Sequence, residues 1–198
     1  QVNGISKSVD GVPLLQNVSF TLGRTDKVAL IGESEQAITM LFKILMEEEQ
    51  PDSGTFKWGV STSQSYFPKD NSKYFDGCNL NMMQWFAQYS PEQLETYMRG
   101  FLGRMLFSGD DVYKPVSVLS GGEKVKAQMM RLLMEDVTVL LLDEPSNDID
   151  LATLELLEKL IREWEHIVVF ISHDETLIEN TANMVIHIEQ IVRKTKSR

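Results

Sequence analysis

Short apolar runs of strand length alternate along the chain with stretches in which apolar residues recur at helical spacing. The runs Lys27–Ile31, Val137–Leu142 and Ile167–Ile171 predict buried strands because almost every position in them is apolar. The other elements predicted around them are a helix over Ile38–Met46, a helix over Leu151–Trp164 with Asp150 as its N-cap, a helix over Glu175–Ala182 and a last strand over Met184–Ile188. Strands that alternate with helices predict an α/β fold.

A second pattern, with alternating polar and apolar residues, indicates additional short strands outside that series. They are an edge strand over Gln1–Val9, a turn at Asp10-Gly11, a strand over Val18–Leu22, and strands over Thr55–Trp58 and Ser63–Phe67 on either side of Gly59. Short strands joined by tight turns pair in antiparallel fashion. The sequence therefore predicts a mixed β core with an antiparallel β flank.

Strand patterns stop at Pro68 and return only after Pro115. Methionine, leucine and aromatic residues at helical spacing predict a helix over Asn79–Gln88 and a second helix that starts at Ser90-Pro91-Glu92-Gln93. We therefore divide the chain into a core of residues 1–67 and 116–198 and an inserted helical subdomain of residues 68–115. The methionines of this insert are expected to fill its core rather than to bind a ligand.

The charge of the chain limits its partners. A formal net charge of −10 argues against binding of a nucleic-acid backbone by this chain alone, although residues 193–198 hold four basic side chains. No apolar run reaches the length of a membrane span, and the single cysteine, Cys78, fits a reducing compartment. Because Gln1 is not an initiator methionine, we expect a domain excised from a longer protein.

Three motifs carry the chemistry. Leu119-Ser120-Gly121-Gly122-Glu123 opens a helical stretch, and the N-terminus of a helix presents free N–H groups to an anion. Asp143-Glu144 follows a buried strand, where one carboxylate can hold a metal and the other can activate water. His173 follows the next buried strand. In open α/β sheets, ligands bind at these carboxyl ends of the strands.

In this order the motifs resemble the signature, the Walker B motif and the switch histidine of ATP-binding cassette (ABC) domains. The run Pro145–Asp150 is similar to the PTNHLD run of the ABC-F proteins, and Leu106–Asp111 is similar to their approach to the signature. The resemblance implies a P-loop NTPase cassette, with ATP and Mg²⁺ as cofactors. It also implies a cytoplasmic protein without membrane contact, in which two cassettes of one parent chain pair head to tail and which acts on the ribosome through parts outside this chain.

The resemblance assigns roles to individual residues. Glu144 would be the general base for the attacking water, His173 would contact the γ-phosphate, and Thr39 and Asp143 would hold Mg²⁺. The signature residues Ser120, Gly121, Gly122 and Glu123 would serve an ATP that is bound by the partner cassette. The phosphate-binding loop would be formed by Gly32, Glu33, Ser34, Glu35, Gln36, Ala37, Ile38 and Thr39.

This loop departs from the family pattern, which requires a second glycine and a lysine. Ala37 replaces that glycine, Ile38 replaces the lysine, and Glu35 adds negative charge beside the expected phosphates. Lys69 stands at the position of the family's glutamine, and Val9 lacks the aromatic ring that would stack on adenine. Loss of one charge-assisted hydrogen bond alone weakens binding by about 10- to 150-fold. We therefore expect ATP and Mg²⁺ to bind weakly here, unless a lysine such as Lys69 supplies the missing charge.

Three hypotheses remain open on the sequence. The first is a degenerate cassette of an ABC-F-like ATPase that completes the partner's site through its signature and hydrolyses little ATP itself. The second is the nucleotide-binding subunit of an ABC membrane transporter. The third is a non-hydrolysing structural or interaction cassette.

Overall fold

The computed structural model describes residues 1–32, 34–107 and 109–188. The basic segment 193–198 lies outside the described residues. The strands are β1 (Val2–Val9), β2 (Val12–Phe20), β3 (Lys27–Ile31), β4 (Ser53–Phe56), β5 (Gln64–Phe67), β6 (Val139–Asp143), β7 (Ile167–Ile171) and β8 (Met184–His187). The helices are α1 (Glu35–Leu45), α2 (Ser72–Phe75), α3 (Met82–Ala87), α4 (Glu95–Arg104), α5 (Gly121–Met134), α6 (Leu151–Glu163) and α7 (Glu175–Thr181), with 3₁₀ turns at Gly109–Tyr113 and Val116–Val118.

The core sheet has the strand order β5-β6-β7-β3-β8, and its described pairs are parallel. Strand β6 lies between β5 and β7, with Leu140 opposite Ser65 on one side and Val168 on the other. All five residues of β6 are buried, which explains its continuous apolar sequence. Because the strands are parallel, the carboxyl ends of β3, β5, β6 and β7 meet at one edge of the sheet.

The flank sheet is antiparallel and has the order β2-β1-β4, so β1 is its central strand. The prediction of an edge strand over Gln1–Val9 was wrong. Val2 pairs with Phe20 on one side and with Phe56 on the other, a pairing that the local alternation of residues cannot reveal. The turn at Asp10-Gly11 is observed, with φ of 50° and 76°, which is typical of the turns that join hairpin strands.

Helix α1 lies between the two sheets and joins them into one core. Its buried residues Ile38, Leu41 and Phe42 pack in one cluster with Ile5 and Val18 of the flank sheet and with buried residues of the core sheet. The spacing of these three positions is that of one helical face. The burial of this face fixes the rotation of α1 about its axis, and therefore also the direction of the side chains in its first turn.

Along the chain, helices α2, α3 and α4 follow β5 and precede α5, in the segment where the sequence shows no strand pattern. Their aromatic residues pack together, with Phe75 stacked on Trp85 at 5.3 Å and Phe86 stacked on Phe101 at 5.5 Å between ring centroids. Met82, Met98 and Met105 are buried in the same cluster, as expected of core methionines.

The predicted helix start at Ser90 was wrong, because α4 begins at Glu95 with Leu94 as its N-cap. The hydroxyl of Ser90 donates to the carbonyl of Glu92 instead of capping a helix. The side-chain amide of Gln93 donates to the carbonyls of Ala87 and Ser90, at 2.9 and 2.8 Å. These local bonds hold residues 90–93 in a turn that competes with a helix.

Arg131 of α5 is a buried charge that ties this helix to β5. Its guanidinium donates to Gln128 Oε1 at 2.6 Å, to Glu135 Oε1 at 2.7 Å and to the carbonyl of Tyr66 at 2.8 Å. It also lies 4.6 Å from the centre of the Tyr74 ring. A buried cation with this set of acceptors cannot be removed without leaving some of them unpaired.

We predict that Arg131→Met lowers the free energy of unfolding by about 2–3 kcal/mol, because buried acceptors lose a charged donor. The matched control is Arg99→Met, which removes an ion pair with Glu95 at the surface and should cost much less, because solvent screens that pair. Urea denaturation followed by circular dichroism measures both values. Equal losses in the two variants would contradict the role that we give to Arg131.

Candidate nucleotide site

The candidate site lies at the edge where the parallel strands end. Gly32 follows β3, Lys69 follows β5, Asp143 ends β6, and Ser172 and His173 follow β7. The N-terminus of α1 faces the same edge. The fold therefore brings together residues as far apart in the sequence as Gly32 and His173, although each was predicted from a separate local motif.

The phosphate-binding loop is shorter than predicted, because α1 begins at Glu35 and takes in Gln36 and Ala37. Ser34 is the N-cap, and its hydroxyl accepts a hydrogen bond from the N–H of Ala37 at 3.2 Å. An N-capping serine and an acidic residue in the first turn both favour a helix start here. Glu33 lies outside the described residues. The prediction that the helix begins at Ile38 was thus wrong, because α1 begins at Glu35.

The two residues that replace the family's glycine and lysine are both buried. Ala37 is 2% exposed and Ile38 is 0% exposed, and both pack in the cluster between the two sheets. Ile38 therefore points away from the site, in the direction fixed by the buried face of α1. An ammonium group at this position would have to leave the core to reach a phosphate.

Glu35 lies at the centre of an ion cluster. Its Oε2 accepts a hydrogen bond from Lys69 Nζ at 2.5 Å, and its Oε1 lies 2.6 Å from His173 Nε2. Glu144 contacts the same two partners, with Oε2 3.5 Å from Lys69 Nζ and Oε1 2.9 Å from His173 Nε2. Two carboxylates are thus held between one ammonium and one imidazole.

The ionisation of the cluster follows from these contacts. Hydrogen bonds from Lys69 and His173 lower the pKa of Glu35 to about 2. The hydrogen bond to Glu35 raises the pKa of Lys69 and also raises the pKa of His173 above its ordinary 6.5. Glu35 and Lys69 are thus both charged across the physiological range, and His173 carries its proton to a higher pH than an isolated histidine.

Asp143 is 1% exposed and accepts two hydrogen bonds on Oδ2, from Thr39 Oγ1 at 2.7 Å and from Tyr66 Oη at 3.1 Å. Burial raises the pKa of the Asp143 carboxyl, and the two hydrogen bonds oppose that shift. The sequence analysis predicted that Thr39 and Asp143 hold Mg²⁺ together, and the structure places the two side chains in contact. Tyr66 was missed, although its position in the strand before Lys69 would have allowed the prediction.

Glu144 has a left-handed backbone, with φ of 51°. This conformation is rare for a residue with a side chain, and such residues concentrate at functional sites. The N–H of Glu144 donates to the carbonyl of Ile171, which holds the end of β6 against β7. The side chain is 5% exposed and turns into the cluster. Its Oε1 makes no hydrogen bond of acceptable geometry, although it lies close to His173 Nε2.

The signature segment lies at the N-terminus of α5, apart from this cluster. The hydroxyl of Ser120 accepts from the N–H of Glu123 at 3.2 Å, and Glu123 Oε1 accepts from the N–H of Ser120 at 3.0 Å. Ser120 and Gly121 are exposed. A Cβ atom on Gly122 would lie 3.2 Å from Asp150 Oδ1, so this glycine lets α5 approach the start of α6.

We predict that Glu35→Gln lowers the pKa of His173 toward 6.5, because it removes the negative charge that contributes most to the shift. In the wild type the imidazolium should persist above pH 6.5, and the ion pair should be lost as the pH rises through the raised pKa. The titration of the imidazole signal by NMR measures both values.

The matched control for this titration is Glu175→Gln, which removes an exposed carboxylate from the first turn of α7. It should leave the pKa of His173 unchanged. A wild-type His173 that titrates at or below pH 6.5 would contradict the arrangement.

Comparison with known proteins agrees with the resemblance and with the fold. The profile of the family described as "ABC transporter" matches residues 15–147. The solved structure of an ATP-binding subunit of an ABC transporter superposes with a TM-score of 0.74 at 16% identity, covering 94% of this chain and 84% of that chain. A putative metal-chelate type ABC transporter gives a TM-score of 0.72 at 19% identity, covering 94% and 78%. At these identities the two structures support the fold alone.

Curated relatives are more similar in sequence. The Bacillus subtilis (strain 168) protein named "Uncharacterized ABC transporter ATP-binding protein YkpA" is 49% identical over 189 residues, which cover 95% of this chain and 35% of the relative. "Probable ATP-binding protein YbiT" of Escherichia coli O157:H7 is 34% identical, covering 95% and 36%. "ATP-binding protein Uup" of Escherichia coli (strain K12) is 31% identical, covering 91% and 29%.

The chain thus spans about a third of the length of these relatives. The predicted fold class, an α/β cassette with an antiparallel flank, is confirmed by the superpositions and by the two sheets. The family profile matches more than half of the chain, and it includes the end of β6 with Asp143 and Glu144. The chain belongs to the ABC ATPase family and is an ATP-binding cassette domain.

Proposed function

We propose that this cassette belongs to an ABC-F-like ATPase, binds ATP weakly at its own site, and supplies its signature to an ATP held by a second cassette. The observation that carries this proposal is the position of Glu35. Its carboxylate contacts Lys69, which stands at the position of the family's glutamine, and His173, which the resemblance directs toward the γ-phosphate. An ATP at this site would have to displace a charged carboxylate from both partners.

The residues fit one part of Mg²⁺-ATP and not the other. Thr39 and Asp143 are in contact and offer the hydroxyl and carboxylate oxygens that Mg²⁺ prefers. The triphosphate does not fit, because Ile38 is buried without a charge and Glu35 repels phosphate oxygens. Lys69 does not restore the missing charge, since it is already paired with Glu35. We therefore assign no hydrolysis step to Glu144 and His173 at this site.

The signature segment supports the contribution in trans. The start of α5 combines an exposed serine hydroxyl with the free N–H groups of a 14-residue helix, and Glu123 completes its capping box. Nothing in the described part of α5 departs from the family pattern as the phosphate-binding loop does. This cassette thus combines a signature that keeps the family pattern with a phosphate-binding loop that departs from it.

The ABC-F assignment is supported by the Pro145–Asp150 run and by the relatives named Uup. The described helices include none that is long and apolar enough to cross a membrane. We propose a cytoplasmic protein in which a second cassette of the same parent chain is the partner. Action on the ribosome, through parts outside this chain, belongs to the same proposal and rests on the ABC-F resemblance alone.

In the full-length protein, we predict that Ser120→Arg lowers the rate of ATP hydrolysis at least tenfold, because a long cation would obstruct the α5 N-terminus. The matched control is Ser61→Arg, which adds the same cation to the exposed turn between β4 and β5. Phosphate release at saturating Mg²⁺-ATP measures both rates. Unchanged hydrolysis in Ser120→Arg would favour a non-hydrolysing structural cassette instead.

For the 198-residue cassette, we predict millimolar or weaker ATP affinity and a gain of roughly two- to thirtyfold in Glu35→Gln. The gain follows from the release of two partly exposed ion pairs worth about 0.2–1 kcal/mol each. Isothermal titration calorimetry with Mg²⁺-ATP measures the affinity. The charge-matched control is Glu49→Gln, which removes an exposed carboxylate beyond the C-terminal end of α1. Micromolar binding by the wild type would refute the weak-site proposal.

A further inference from the structure

We propose that Glu35, Glu144 and His173 form a site for a divalent transition-metal ion that binds without nucleotide, with Zn²⁺ as the representative ligand. One ligand atom from each of the three residues lies within 4.8 Å of the other two. His173 Nε2 contacts Glu35 Oε1 and Glu144 Oε1, and we take these three atoms as the ligands. The set differs from Thr39 and Asp143, the pair that the family resemblance assigns to Mg²⁺.

The first observation behind this site is a buried oxygen of Glu144 that makes no hydrogen bond of acceptable geometry. The side chain is 5% exposed, and its Oε1 has no hydrogen-bond partner in the described structure. A buried carboxylate oxygen without a partner is costly, and a metal ion is one of the few groups that can satisfy it. His173 Nε2 lies 2.9 Å from this oxygen and 2.6 Å from Glu35 Oε1, and its one N–H cannot bond both oxygens with good geometry. A metal ion bound to Nε2 would replace that proton and release it to solvent.

The second observation is the space beside the cluster. A cavity of about 70 Å³ is lined by Glu144, Ser146, Asn147, His173 and Asp174. Since a water molecule needs about 10–15 Å³ of such free space, this cavity can hold an ion and a bound water. Three protein ligands with one position left to water is the arrangement of open zinc sites.

The geometry requires only a small outward movement of one ligand. Bonds of about 2.1 Å at tetrahedral angles place ligand atoms about 3.4 Å apart. His173 Nε2 now lies 2.6 and 2.9 Å from the two carboxylate oxygens. The imidazole is 67% exposed, so it can move by under an ångström without disturbing the core.

The charges around the site also permit a cation. Lys69 faces the Oε2 atoms of both glutamates, whereas the proposed ion takes the Oε1 atoms. Asp143, which directly precedes Glu144 in the chain, adds a third carboxylate that accepts hydrogen bonds from Thr39 and Tyr66. One imidazole among the ligands favours zinc, nickel or cobalt over magnesium and calcium, which prefer oxygen ligands.

A bound ion would join the start of α1 to the ends of β6 and β7. The family resemblance assigns the phosphate-binding site to the region between these elements. In this cassette, a metal ion would stabilise the nucleotide-free arrangement rather than assist hydrolysis. The inference does not depend on whether ATP binds, since the ligands and the cavity are described without it.

The test is a Zn²⁺ titration of the full-length protein, stripped of metal and free of nucleotide, against a chromophoric chelator. We expect one site that is weakened at least tenfold in His173→Ala and in Glu35→Gln. Mg²⁺ should compete at least a hundredfold less well than Zn²⁺. A Co²⁺-loaded sample should lose its visible d–d absorption in the same two variants.

The matched controls are His166→Ala and Glu49→Gln, which remove an exposed imidazole and an exposed carboxylate outside the cluster. Both should bind Zn²⁺ as the wild type does, and circular dichroism confirms that all variants are folded. The inference would be overturned if the wild type bound no Zn²⁺ up to millimolar concentration, or if the cluster variants bound it as tightly as the controls. Either result would leave the proposal of weak ATP binding untouched, because no ATP is present.

Discussion

The contact on which the site depends is the salt bridge of Glu35 with Lys69 and its close approach to His173. It joins the first turn of α1 to the segments that follow β5 and β7. In our proposal, it places a carboxylate where a phosphate of ATP would otherwise meet Lys69 and His173. An ion cluster this exposed contributes little to global stability. Its importance is local, because it decides which anion the two cationic groups face.

The position of Glu35 is in turn a consequence of packing. Helix α1 is clamped between the two sheets by Ile38, Leu41 and Phe42, so its rotation is fixed by apolar burial. With that rotation set, residues one turn apart fall on the same side. Thr39 meets Asp143, and Glu35 meets Lys69 and His173. A single helix register therefore explains both the contact of Thr39 with Asp143 and the contacts of Glu35 with Lys69 and His173.

Much of this could be predicted from the sequence. The buried strands β3, β6 and β7 were predicted because continuous apolar runs are typical of parallel strands covered on both faces. The strands lead directly to Asp143 and His173. What could not be predicted depends on pairing over long distances. The central place of β1 requires knowledge of β4, and the start of α4 depends on local side-chain bonds at Ser90 and Gln93. The left-handed backbone of Glu144 and the partners of Glu35 likewise depend on contacts between segments that are far apart in the sequence.

The central claim is that the carboxylate of Glu35 takes the position between Lys69 and His173 that the terminal phosphate of ATP would otherwise occupy. It is tested most directly by a crystal structure of the cassette grown with Mg²⁺ and a non-hydrolysable ATP analogue at millimolar concentration. The account predicts that the Glu35 carboxylate remains between Lys69 and His173, with no triphosphate over the start of α1. An ordered triphosphate in that position, with Glu35 turned out to solvent and Lys69 on the phosphates, would contradict it.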